Sequence, residues 1–197
     1  MIWSLLLACV APRPELSFDG RLETSACEDT HDLVVPVDRL WLQQPALASV
    51  WSPIATAHAH PGHDPAGDVT GELLGPWTLN PCGDPVLLGT GRGYEGAVGS
   101  GQLVLQGEAH LEATLDGRPV AITTTVDAPV AGLPLDGQLA DGIHTVLTFD
   151  PWLTLSVLPT EDTDGDGLLT EHDDGVAEAL RYGLTNPNTW TLSLETP

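Results

Sequence analysis

Glycine and proline interrupt this chain so often, at 21 and 17 of its 197 positions, that its apolar stretches stay short. Such segments read as β-strands, because Gly and Pro mark turns and strand ends. Strands are expected over 16–18, 21–24, 33–42, 51–57, 72–79, 86–88, 102–115, 118–126, 143–149, 153–158 and 190–194. Asp19-Gly20 and Asp116-Gly117 each separate two alternating stretches, the signal of a two-residue type I′ hairpin. The strand spacing suits a mainly β fold, an antiparallel sandwich or barrel, better than βαβ units. One short C-terminal helix is expected. It starts near Asp173, carries Val176, Ala177 and Leu180 on its apolar face, and stops at Gly183 in the C′ position.

Hydrophobic residues make up 42% of the chain and charged residues 17%, enough apolar surface to offset the entropy of ordering. One β-rich domain over 16–197 is therefore expected, burying roughly 70% of its unfolded surface. The charge is lopsided: 28 acidic residues face six Arg and no Lys, for a net charge of −22. Nucleic acid is excluded as a partner, since phosphate backbones demand clusters of basic residues. The field of such a protein attracts cations.

Residues 1–11 form an uncharged apolar run that ends at Pro12. It is too short to span a bilayer, which takes about 20 residues, and it fits a secretory h-region. Within it Leu6-Leu7-Ala8-Cys9 resembles the lipobox of bacterial lipoproteins. The resemblance implies a signal peptide over 1–8, diacylglycerol on Cys9 and a tether over 9–15. With Val10 after the cysteine, it implies sorting to the outer membrane, facing the periplasm or the cell surface. Of three Cys, lipidation of Cys9 leaves Cys27 and Cys82, which are expected to pair in an oxidising compartment.

The strongest chemical motif is the run from Asp162 to Asp173, D-x-D-x-D-G-x-L-T-x-x-D. Calcium takes six to eight hard oxygens; alternate Asp side chains converge on one centre, and Gly167 permits the sharp turn between them. The run resembles an EF-hand loop, more closely the dockerin-like variant that ends in Asp. That resemblance implies carboxylate ligands from Asp162, Asp164 and Asp166, the carbonyl of Leu168, a hydroxyl or water-mediated contact from Thr170, and closure by Asp173. Leu169 would face the core. Because 153–158 reads as a strand ending at Pro159, no entering helix is expected. The ion's role is structural.

A second constellation places His58, His60 and His63 within six residues. On a strand His58 and His60 share a face, and Pro61-Gly62 turns His63 back toward them. Three imidazoles suit copper or zinc, with His31, His110, His144 or Asp64 as further ligands. The spacing resembles part of the H-x-H-x-D-H motif of metallo-β-lactamase-like hydrolases, but Gly62 stands in the place of its Asp, so hydrolase chemistry is not implied. A β-rich architecture, an early Cys and scattered Trp are similar to periplasmic methanobactin-associated copper proteins; no residue role follows from that.

The run 91–96 matches G-x-G-x-x-G, but no helix can begin after it, so a glycine-rich loop between strands is expected. The sequence thus describes a lipid-anchored, extracytoplasmic metal-binding protein with structural calcium and a His-rich copper or zinc site, and no assigned catalytic residue. Two alternatives compete with it. Trp41, Trp51, Trp77, Trp152 and Trp190 include enough aromatic surface for a carbohydrate- or protein-interaction module, and the His cluster beside a carboxylate would suit a metal-dependent enzyme.

Overall fold

The computed structural model describes residues 15–23, 27, 30–45 and 69–196. The signal segment 1–8, Cys9 and most of its tether, the expected strand 51–57 and the cluster His58, His60 and His63 lie outside the described residues. In chain order the elements are β1 (Glu15–Leu22), β2 (Thr30–Gln43), β3 (Val69–Leu79), β4 (Val86–Tyr94), β5 (Gly96–Leu115), β6 (Arg118–Leu139), β7 (His144–Phe149), α1 (Pro151–Leu155), β8 (Leu169–Thr170), α2 (Val176–Thr185) and β9 (Trp190–Glu195).

The two longest strands, β5 and β6, pair antiparallel from Leu115↔Arg118 to Gly96↔Leu139. They are joined at Asp116-Gly117, where both residues have positive φ, 53° and 80°, as a type I′ turn requires. All strands share one sheet in the order β8-β6-β5-β2-β3-β4-β1-β7-β9. The sheet is mixed rather than wholly antiparallel: β7 runs parallel to β1, and β8 parallel to β6. It curls, so that β9 at one end packs against β6 near the other.

The core lies inside this curl. In β2 the buried apolar residues are Leu33, Val35 and Val37, then Leu40 and Leu42. The step from 37 to 40 breaks the period of two, and both neighbouring ladders shift register between Val37 and Arg39. Against β5 the extra residue is in β2, and against β3 it is in β3; the bulge on β2 swaps its faces, so both apolar runs reach the same core.

Four expectations are corrected. Asp19-Gly20 is not a turn: β1 runs straight through it, and Gly20 pairs with Gly89. A Cβ at Gly20 would stand 2.8 Å from Leu73 Cδ2, so this glycine admits a neighbouring side chain. The run 91–96 is no loop either, since residues 91–94 complete β4 and Gly96 opens β5. Residues 153–158 do not form a strand, because Asp150 caps α1 by accepting the Trp152 N–H at 3.0 Å and Pro151 occupies its first turn. Finally, Gly183 lies within α2, where a Cβ would come 2.9 Å from Thr154 Cα; it lets α1 and α2 touch. The helix ends instead at Asn186, whose extended backbone precedes Pro187.

Candidate metal centre

The acidic loop leaves α1 through a turn and returns to the sheet at β8, where Leu169↔Val120 and Thr170↔Ala121 pair in parallel. Leu169 is fully buried, as its apolar position in the motif requires. Glu171 extends this junction by side chain, its carboxylate accepting the Thr123 N–H at 3.2 Å. Past Gly175 the chain enters α2, and α1 packs against α2. The loop is thus flanked by two packed helices, the entering one being the helix that sequence reasoning replaced with a strand. The missed signal was Asp150-Pro151.

Within the loop, Asp side chains organise the backbone that carries them. Asp162 accepts from the Gly165 N–H at 2.6 Å through Oδ1 and from the Gly167 N–H at 2.8 Å through Oδ2. Asp164 accepts from the Asp166 N–H at 3.1 Å, and Asp166 from the Leu168 N–H at 2.7 Å. The bonds of Asp164 and Asp166, each to the N–H two residues on, are the Asx-turns that Asp favours, while Asp162 reaches further along the loop. Gly165 and Gly167 have φ of 78° and 88°, conformations that suit glycine.

One carboxylate oxygen from each of Asp162, Asp164 and Asp166 lies within 4.8 Å of the others. Among the described residues this is the one such grouping of His, Cys, Asp or Glu side chains. Three like charges converge with no basic side chain paired to them in the described residues. The arrangement can hold a metal ion, and its all-oxygen donors suit a hard one.

Asp173 occupies a different position from these three. It is 3% exposed. Its Oδ1 accepts from the Thr163 N–H at 2.6 Å, the Thr163 hydroxyl at 3.1 Å and the Asp164 N–H at 3.4 Å, and its Oδ2 from the Thr170 N–H at 2.9 Å. It fastens the start of the loop to its end. Thr170 in turn accepts the His172 N–H on its hydroxyl at 3.2 Å. Donors to the charged form hold these acids below their ordinary values: Gly167 and then Gly165 for Asp162, Thr170 and Thr163 for Asp173, and its own N–H and that of Thr123 for Glu171. The charge of Asp173 partly opposes the shift at Asp162.

The histidines expected as further ligands of the cluster His58, His60 and His63, which lies outside the described residues, have partners of their own or sit in the sheet. His31 meets the Thr114 hydroxyl at 2.8 Å, and His110 meets the Thr123 hydroxyl at 3.0 Å and Glu112 at 3.3 Å; His144 starts β7. The disulfide Cys27–Cys82 is formed, with Cα atoms 5.6 Å apart. Of the tryptophans, Trp190 is buried against Phe149, Trp77 donates its indole N–H to the Leu88 carbonyl at 2.9 Å, and Trp152 is 59% exposed.

No family model, curated protein or solved structure matches this chain.

Proposed function

We propose that this is an extracytoplasmic metal-binding domain whose loop 162–173 holds a structural calcium ion. The observation that carries the reading is the convergence of Asp162, Asp164 and Asp166 within 4.8 Å. Calcium fits better than magnesium, because an ion here would draw on side chains of one loop, the Leu168 carbonyl and water, and calcium accepts the resulting irregular geometry. Asp173 completes the loop from behind, its carboxylate holding the backbone in the shape that points the other three inward. A net charge of −22 raises the local concentration of divalent cations further.

The disulfide supports an oxidising compartment, in keeping with export and anchoring through lipid on Cys9 at the outer membrane. His58, His60 and His63 supply a second site for copper or zinc by the spacing of their imidazoles alone. An interaction module with structural calcium is the second reading. It is favoured by Trp152, exposed beside a cleft of 240 Å³ that Asp116 also lines.

Elemental analysis after equilibrium dialysis tests both metals. One bound calcium with copper or zinc in addition supports the metal-binding reading, calcium alone favours the interaction module, and no calcium overturns the site at 162–173.

A further inference from the structure

β3 and β4 pair through only two rungs, Gly71↔Gly93 and Glu72↔Arg92, and beside them β1 adds Glu15↔Tyr94. Residues directly opposite in an antiparallel pair share a face, as do residues two apart in one strand. Glu15, Glu72, Arg92 and Tyr94 therefore stand on one face of the sheet. The buried glycines Gly71 and Gly93 turn the other way, toward Phe18 and Leu139 of the core.

With Val69 and Thr70 these residues line a cleft of 360 Å³, larger than the two at 170 and 240 Å³ beside the β5–β6 hairpin. That size suits a small ligand. The cleft also contains charges of both signs that form no ion pair among the described residues. Elsewhere Arg21 pairs with Glu23 and Glu195, Arg39 with Asp38 and Arg181 with Glu178, while Arg118 donates to the Thr160 carbonyl. Arg92 has no such partner among the described residues, although Glu72 stands directly opposite, and neither Glu72 nor Glu15 is in an ion pair.

We propose that this cleft binds a free α-amino acid with an apolar side chain. The ligand carboxylate lies on the fork of Arg92, a geometry that guanidinium matches with two parallel hydrogen bonds. Its ammonium donates to Glu72 and Glu15. Its side chain rests on Val69 and the Tyr94 ring. A simple anion would meet two carboxylates and a simple cation would meet Arg92, so only a zwitterion satisfies both signs at once. The cleft draws no residue from loop 162–173, so this inference stands or falls independently of calcium.

Calorimetry on the full chain, with calcium and again with chelator, tests it using L-leucine, N-acetyl-L-leucine and L-leucinamide. Leucine binds, and removal of either ligand charge weakens binding about tenfold or more, the worth of one charge-assisted contact. In Arg92→Gln the preference for leucine over leucinamide disappears, and in Glu72→Gln the preference over the acetylated form falls. No binding of leucine at millimolar concentration, equal binding of all three compounds, or an unchanged preference in Arg92→Gln would each overturn the proposal. The ligand series on the unaltered protein does not depend on how well either variant folds.

Discussion

Asp173 accepts the backbone N–H of Thr163 at 2.6 Å across ten residues of chain. Its other oxygen takes the Thr170 N–H at 2.9 Å, so one buried carboxylate ties both ends of the loop together. Replacing it leaves several backbone donors unpaired, a penalty that needs no metal. Asp173→Ala should therefore lower the melting temperature by several degrees even in excess chelator. Asp164, on the exposed side of the loop, should show no comparable loss under chelation when changed to Ala. Equal melts for the parent and Asp173→Ala in chelator would contradict this division of roles.

Acid should weaken the domain through the same bonds. Asp162, Asp173 and Glu171 are all held below their ordinary values of 3.8 and 4.5. A carboxyl whose folded value is depressed contributes stability that is fully present above its unfolded value and is lost as pH falls through the folded one. Denaturant melts should give constant stability from neutral pH to about pH 5 and a progressive fall below pH 4. The Glu171→Gln variant should show a shallower fall, which parallel melts of the two proteins will reveal.

Leu169 links the loop to the sheet, being fully buried and paired with Val120. Leu169→Ala should cost about 2–5 kcal/mol, the range for a buried leucine. It should also loosen β8, so hydrogen exchange at Val120 and Ala121 should accelerate in the variant more than exchange in β2.

The Cys27–Cys82 bridge spans 55 positions. In the chain-entropy account such a loop contributes about 4 kcal/mol by restricting the unfolded chain. The Cys27→Ser, Cys82→Ser double variant should unfold at correspondingly lower denaturant concentration, and reductant should do the same to the parent.

Elements defined by local chemistry were readable from the sequence. Asp116-Gly117 announces a hairpin because both residues must adopt positive φ, and the Asp spacing of 162–166 announces a converging set of oxygens. Glycines that serve packing between distant strands were not readable. Asp19-Gly20 has the same two letters as the hairpin, yet Gly20 is there because Leu73 crosses it. Gly183 likewise reads as a helix stop and is instead the place where Thr154 of α1 touches α2. The helix α1 could have been recognised, since Asp150-Pro151 is a capping signal, although the apolar residues after it form a stretch short enough for a strand. The inward role of Asp173 depends on the closed loop, which spacing alone does not describe.

Calcium titration by calorimetry of the chelator-stripped protein, run at physiological salt with excess magnesium to suppress diffuse binding to the 28 carboxylates, tests the central claim most directly. The account predicts one calcium per chain in the parent and loss of that binding event in Asp164→Ala, with the fold of the variant intact in chelator. Binding of equal stoichiometry and affinity in the two proteins, or none in the parent, would contradict it.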